Sequence, residues 1–288
     1  MQLWILGARP RTLPAAFVSV VVACGQAISQ QTDQQKMWLN ALFALIVSVA
    51  LQVGVNYAND YSDGIKGTDN DRVGPLRLVG SGLVPAKLVK RAAIIAFGIA
   101  ACFGLLIALS TTLWLLPIGA VSIAAGWLYT GGPKPYGYFG LGELFVFVFF
   151  GLVATCGSVY AITQTIDVET WLAASVVGLL ACALLVINNL RDIPGDTQAN
   201  KKTLAVRIGD RKTRQLFYAM FVMVAVMIAV VGISDRSVLI AMLGLVSVVP
   251  AVKVVAAGAK SRELIPVLGA TGKAQLVVGL LLAVGLAI

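Results

Sequence analysis

The sequence predicts an all-α, polytopic membrane protein of about nine transmembrane helices, and three observations carry that prediction. Only 12% of the 288 residues are charged and 59% are hydrophobic, where a soluble domain has about a quarter charged; the mean hydropathy is +0.90. Apolar runs of roughly 17–25 residues, long enough to cross a bilayer, recur about nine times. The remaining charge is gathered into the connections between those runs. No polar stretch is long enough to build a water-soluble domain, so 1–288 reads as a single transmembrane domain.

Taken in order, the runs fall at 13–29, 37–58, 91–110, 112–130, 141–163, 171–190, 214–233, 237–257 and 270–288. The first follows the basic segment Arg9-Pro10-Arg11-Thr12-Leu13-Pro14, which suits the rim of a membrane face. The second is almost uncharged as far as Val55, then meets Asp60, Asp63, Asp69 and Asp71 in quick succession. The fifth opens on Glu143, which either caps a helix or lines a cavity. Its run Leu144-Phe145-Val146-Phe147-Val148-Phe149-Phe150 reads as packing or as the lining of a lipid channel. The sixth ends in a second acidic segment. Connections 59–90 and 191–213 are long and charged; connection 130–138 is shorter and rich in Gly and Pro.

Charge orients the bundle. With the N-terminus in the cytoplasm and nine alternating helices, only Lys36 and Arg236 of the 22 Lys and Arg fall outside. That asymmetry satisfies the positive-inside rule and puts both long connections and the Gly/Pro one on the cytoplasmic face. It also accounts for the net charge of +9 without invoking nucleic acid. Lys87, Lys90, Arg91, Arg211, Lys212 and Arg214 are read wholly as such anchors. The absence of histidine excludes His-based acid–base chemistry, His metal ligands and any Ser-His-Asp triad. Cys24, Cys102, Cys156 and Cys182 are far apart in apolar runs, with no zinc spacing. A lesser reading of the N-terminus makes Val21-Val22-Ala23-Cys24 a lipoprotein signal, which would leave eight spans.

The two acidic segments resemble one another. Asn56 and Asp60 are four apart; so are Asn188 and Asp192, with Asp196 four further on. At helical spacing each segment hangs an amide and carboxylates down one face. They end spans two and six, which suggests two related halves. Carboxylates near a membrane are costly unless paired, hydrated or bound to cations, and two facing clusters would repel. A hard divalent cation removes that cost, and oxygen-only ligands favour Mg²⁺, which completes its shell with water and substrate phosphate. The pair therefore reads as a Mg²⁺–diphosphate site, with Lys66, Arg72, Lys134, Lys201, Lys202 and Arg207 as nearby cations and Arg9 and Arg11 beside the first span.

At these residues the sequence resembles the UbiA superfamily of intramembrane aromatic prenyltransferases. Its NDxxD-type and DxxxD motifs stand here as Asn59-Asp60-Tyr61-Ser62-Asp63 and Asp192-Ile193-Pro194-Gly195-Asp196. The nearer likeness is to the branch that prenylates 1,4-dihydroxy-2-naphthoate in menaquinone synthesis, carried by ARPRTLPAA, NDYSDGIKGTD, YTGGPKPYGYFGLGE and NNLRDIPGDTQANKKTLAVRIG. One departure is Asn200, where the family has Gly; Asn tolerates a left-handed backbone.

The resemblance implies helices around a central cavity open to the cytoplasmic side. It implies Mg²⁺ between the aspartates and a polyprenyl diphosphate, an allylic carbocation, and attack by a small aromatic acid that loses CO₂. The implied metal-linked residues are Asp60, Asp63, Asp192 and Asp196, with Asn56 and Asn188 as supporting donors and Asp69 as a further candidate. Diphosphate contacts fall to Lys134, Lys201, Arg72 and Arg207, with Tyr129 facing the carbocation or shaping a lid and Arg11 meeting the acceptor carboxylate. Asp60→Ala or Asp192→Ala is expected to abolish turnover in folded protein. The partners are the two substrates and the lipid bilayer, with no signature of oligomeric state, and the location is a bacterial plasma membrane. The alternatives are a UbiA-type enzyme with another acceptor (4-hydroxybenzoate, homogentisate, haem or a lipid) and a cation-coupled transporter. CDP-alcohol phosphotransfer needs a denser aspartate motif than this chain has.

Overall fold

The computed structural model describes residues 2–68, 74 and 76–288, and among these the regular structure is entirely helical. A short α1 (Gln2–Ala8) leads to Arg9 in the left-handed conformation (φ 53) and a turn into α2 (Pro14–Ser29). Pro14 starts α2 where a missing N–H costs nothing. The stretches Gln2–Thr12 and Pro14–Ser29 meet at 56°. There follow α3 (Gln34–Ile65), α4 (Ala86–Ser110), α5 (Leu115–Leu128), α6 (Gly142–Thr163), α7 (Val168–Gln198), α8 (Leu204–Ser234), α9 (Arg236–Ala256) and α10 (Ser261–Ala287).

Seven of these helices are long and apolar enough to cross a bilayer, and the bent N-terminal pair would make an eighth. α5 is apolar but has only 14 residues, short of the usual ~20 for a span. Each predicted run is therefore found as a helix, and among the described residues seven reach spanning length, or eight with the bent pair, close to the expected nine. The segment weighed as a lipoprotein signal is built into the bundle: a Cβ on Gly25 would lie 2.2 Å from the Ala283 carbonyl oxygen of α10.

Two boundaries differ in a way that matters. α3 continues past residue 58 to Ile65, and α7 past 190 to Gln198. Asp60, Asp63, Asp192 and Asp196 thus all lie within helix. The extension of α3 holds because the polar side chains of its last turns find partners on neighbouring segments, described below. α7 also carries Pro194 within its last turns, which removes one i→i−4 hydrogen bond just where the acidic residues lie. α8 is broken near its start by Gly209 (φ 77, ψ 170), so residues 204–208 form a separate helical turn.

α7 is the most enclosed span, with 72% of its apolar window buried. The largest core cluster joins it to α2, α8, α9 and α10 through residues such as Val177, Leu180, Phe217, Ile228 and Leu282. Small residues permit close helix approach in lipid: the absent Cβ of Gly151 on α6 would meet the backbone of Gly178 on α7 at 2.4 Å. At that contact α6 widens into a π-helical stretch, Phe147–Val153. Such stretches are rare and concentrate at functional sites.

Candidate active site

A cavity of about 970 Å³ runs between α3, α4, α5, α6 and α7 and the turn before α2. It falls within the size range of ligand sites. One end is polar and charged, bounded by Asp63, Arg77, Arg191, Asp192, Asp196 and Lys201; the rest is an apolar stem reaching Ala44 on α3, Ile107 on α4 and Ala161 on α6. Along α3 from Asp63 to Ala44 the stem is roughly 28 Å deep at the helical rise.

On α3 the two aspartates point in different directions. Asp60 is 1% exposed, and its Oδ2 and Oδ1 accept from the backbone N–H groups of Leu78 and Val79, each at 2.9 Å. The cavity wall includes Asn59 and Asp63 but not Asp60. Asp63 Oδ1 accepts from the Tyr138 hydroxyl at 2.7 Å, and its Oδ2 lies 3.0 Å from Lys201 Nζ. The ring of Tyr138 also lies beneath the ammoniums of Lys66 and Lys201, at 5.0 and 4.8 Å. Lys66 itself donates to the Thr130 carbonyl at 2.7 Å. Partial burial pulls its ammonium below the usual lysine range; Asp63 opposes that shift and Lys201 adds to it.

Asn56 Nδ2 donates to the Ala8 carbonyl at 2.9 Å and the Thr12 hydroxyl at 3.0 Å, so it ties the N-terminal turn to α3. Asn59 accepts from the Thr130 hydroxyl at 2.7 Å. The Lys202 N–H donates to the Tyr138 carbonyl. The connection 130–140 is thus fastened to the ends of both acid-bearing helices.

On α7 the cation comes from within the motif. Arg191 is 1% exposed, and its Nε and Nη2 donate to Asp192 Oδ1 and Oδ2 at 2.6 and 2.7 Å. The same Nη2 donates to Asn188 Oδ1 at 2.8 Å, while Nη1 is buried without a partner. Asp196 accepts from the Thr203 hydroxyl at 3.4 Å. Asn189 lines the cavity and donates to Glu143 Oε1 at 2.9 Å.

Below the charged end stands a run of aromatic rings. Tyr129 meets Tyr136 edge-on at 5.5 Å, Tyr136 stacks on Phe145 at 3.9 Å, and Phe145 on Phe149 at 5.9 Å. All four line the cavity. Their π-faces offer negative potential to a cation, and their bulk forms the entry to the apolar stem. Phe147, from the same run, instead packs toward Gly178.

A model of the UbiA prenyltransferase family matches residues 13–286. The chain belongs to the UbiA prenyltransferase family. The 1,4-dihydroxy-2-naphthoate octaprenyltransferase of Mycobacterium tuberculosis is 48% identical over 284 residues, covering 99% of this chain and 96% of the relative. The protein of that name from Escherichia coli is 41% identical over 221 residues, covering 74% and 71%. Among solved structures, a UbiA homolog from Archaeoglobus fulgidus bound to GPP and Mg²⁺ superposes with a TM-score of 0.68 at 14% identity, over 95% and 99% of the two chains. A UbiA homolog from Aeropyrum pernix K1 gives 0.69 at 16% identity, over 93% and 94%. These likenesses show that the bundle has the UbiA fold.

Of the residues singled out in the sequence, the UbiA cavity gathers Asn56, Asp63, Tyr129, Asn188, Asp192, Asp196 and Lys201, with Arg11 exposed at its mouth. Three others lie outside the cavity wall. Asp60 faces the 78–79 backbone, because two amides there hold both its oxygens. Lys134 is exposed and outside the wall. Arg207 is also outside it; its Nε donates to the Lys202 carbonyl at 3.0 Å, and its stem lies against Gly140. Glu143 lies in the first turn of α6 and outside the cavity wall, and its Oε1 accepts from Asn189. Asp69 and Arg72 lie outside the described residues. Sequence reasoning missed Tyr138, Asn59, Arg77 and Asn189, and read Arg191 only as part of the positive face. Tyr138 and Arg191 had a signal: an aromatic in the Gly/Pro connection, and a cation embedded in an acidic helical motif. Asn200 does adopt the left-handed backbone (φ 55), as its place in a family glycine position predicts.

The donor set suits a hard ion. Asp63, Asp192 and Asp196 offer carboxylate oxygens to one cavity, and the chain has no histidine. Among the described residues no three acidic or sulfur side chains are close enough to cage a metal by themselves. Mg²⁺ takes one or two carboxylates together with water and substrate phosphate, and carboxylates offered to one cavity from α3 and α7 suit such an ion.

Proposed function

We propose that this protein transfers a polyprenyl group from polyprenyl diphosphate to 1,4-dihydroxy-2-naphthoate, with loss of CO₂, in menaquinone biosynthesis. The observation that carries the reading is the single cavity that joins a charged head to a long apolar stem. A diphosphate and its isoprenoid tail need those two environments in that order. The full-length likeness to naphthoate prenyltransferases supplies the acceptor.

Asp63, Asp192 and Asp196 would hold Mg²⁺ with the diphosphate, and the ion would supply positive charge to the leaving oxygens. Lys201 and Arg191 stand beside those carboxylates and would add positive charge to the bound diphosphate. Their fixed positive charge stabilises the negative charge that develops as the C–O bond breaks. The allylic cation left behind meets the faces of Tyr129 and Phe145, and the apolar stem keeps water from it. The naphthoate ring attacks through the carbon that bears its carboxylate. The new C–C bond forms, the ring–carboxylate bond breaks, and its electron pair restores aromaticity as CO₂ departs. No side chain has to remove a ring proton, in keeping with a chain that lacks histidine. The product is the quinol form of demethylmenaquinone.

Arg11, exposed at the mouth, is placed to draw in the acceptor carboxylate. Asp60 is assigned to bracing the 78–79 segment, and Asn56 to fixing the N-terminal turn. The charge asymmetry of the connections supports an N-terminus and a cavity mouth on the cytoplasmic side of a bacterial plasma membrane. The family match over 13–286 supports 1–288 as one catalytic unit.

The test is a transfer assay on purified protein in lipid, with polyprenyl diphosphate and either 1,4-dihydroxy-2-naphthoate or 4-hydroxybenzoate, with Mg²⁺ or EDTA. Metal-dependent prenylation and CO₂ release with the naphthoate alone is the expected result. Transfer to 4-hydroxybenzoate alone would keep the site and overturn the acceptor.

A further inference from the structure

Glycine is unfavourable inside a helix by roughly 1 kcal/mol relative to alanine, and most helical glycines here have a visible reason. Gly25, Gly151, Gly244 and Gly285 each bring a neighbouring backbone too close for a Cβ. Gly104 on α4, Gly119 on α5 and Gly157 on α6 do not: a Cβ at any of them would meet nothing within 4 Å. All three line the apolar stem of the cavity.

They also lie at one depth. Gly54 of α3 packs on Phe97 of α4; two turns along these antiparallel helices, Gly104 falls level with Val47. Gly126 of α5 packs on Val55 of α3; two turns back along these parallel helices, Gly119 falls level with Ser48. Asn40 Nδ2 of α3 donates to the Ala161 carbonyl of α6 at 2.7 Å; one turn away, Gly157 falls level with Ala44. Three helices therefore each omit a side chain at the same level, roughly 22–28 Å below Asp63 at the helical rise.

We infer that Gly104, Gly119 and Gly157 form a side-chain-free passage at the deep end of the cavity that sets which polyprenyl chain lengths the enzyme accepts. The inference rests on the proposed transferase reading. The roughly 1.5 Å of a carbon–carbon bond bounds a geranyl backbone of eight carbons at about 12 Å, and an octaprenyl backbone of thirty-two at about 48 Å. A short tail ends well above the glycines, whereas a long one has to pass them. Large side chains there obstruct only the long tail.

The experiment compares kcat/KM for octaprenyl and geranyl diphosphate, each with 1,4-dihydroxy-2-naphthoate, in the natural protein, Gly119→Leu and Gly157→Leu. Gly98→Leu is the control: Gly98 is also on α4 with nothing within 4 Å of a Cβ, but is exposed and outside the wall. Overpacking the passage should lower octaprenyl transfer by at least about tenfold and leave geranyl transfer within about twofold. The control should leave the ratio unchanged. Gly119→Ala and Gly157→Ala, which fill less space and favour the helix, should show the same bias more weakly. An equal loss for both substrates across this series, or no loss for either, overturns the inference. Absence of transfer from either diphosphate by the natural protein would sink the transferase reading itself, and the inference with it.

Discussion

The two acid-bearing helix ends look alike in sequence and do different work in the fold. On α3, Asp60 accepts from two backbone amides of the 78–79 segment, and only Asp63 of the motif's two aspartates lines the cavity, in direct ion-pair contact with Lys201, which is remote in sequence. On α7, Asp192 is held by the adjacent Arg191, and Asp196, one turn on, lines the same cavity. The first end fastens a connection and lends one carboxylate. The second brings two carboxylates and its own cation. Spacing of four places side chains on one face of a helix, but the neighbours of that face decide what each side chain does.

Removing the carboxylate that does reach the cavity should break this contrast most strongly. Asp63→Ala should lower kcat/KM by about a thousandfold in folded protein, the scale of deleting a key electrostatic group. It also leaves Lys201 buried without its partner, so Asp63→Asn is the matching check on folding, and diphosphate release measures both. Arg191→Lys comes next. Lysine cannot reproduce the two-pronged contact with Asp192, and loss of such a support costs about 10–100-fold in metal affinity. A Mg²⁺ titration of turnover reads that shift, and an unchanged half-saturation would show that Asp192 needs no such clamp.

Asp60→Asn should act on stability instead. One carboxylate oxygen becomes an amide donor facing an N–H, at a cost of about 1–3 kcal/mol. Thermal inactivation in detergent should come earlier, while turnover per folded molecule stays far above that of Asp63→Ala. The smallest effects belong to Lys134→Ala and Arg207→Ala. Both side chains lie outside the cavity, and surface changes of this kind stay within about 0.5 kcal/mol. Octaprenyl transfer should remain within about twofold of the natural protein; a large loss in either would return that residue to the diphosphate site.

The bundle was legible because hydropathy accumulates over twenty residues and survives local exceptions. The eight long helices and α5 all lie where apolar runs predict them. Helix ends were less legible. α3 and α7 outrun their apolar stretches because tertiary partners stabilise polar turns: the 78–79 amides for Asp60, the Tyr138 hydroxyl for Asp63, and the fork of Arg191 for Asp192. None of these partners is close in sequence except Arg191. The aspartates and asparagines at helical spacing were legible as a site, but the direction of each side chain was not: spacing alone cannot show that Asp60 meets the 78–79 amides. Basic residues were the least legible. In a membrane protein nearly every lysine and arginine already has a reason to be on the charged face, so Lys134 and Arg207 could not be told from Lys201, and Arg191 and Arg77 passed for ordinary anchors.

On the proposed reading, Asp63 of α3 and the two carboxylates of α7 share a metal-bearing diphosphate, while Asp60 braces the 78–79 segment. The direct measurement is a Mg²⁺ titration of diphosphate release, in lipid, for the natural protein, Asp60→Asn, Asp63→Asn and Asp192→Asn, each corrected for its folded fraction. Asp63→Asn and Asp192→Asn should raise the Mg²⁺ requirement by about tenfold or more, with Asp60→Asn matching the natural protein. An Asp60→Asn curve displaced as far as that of Asp63→Asn would contradict that reading.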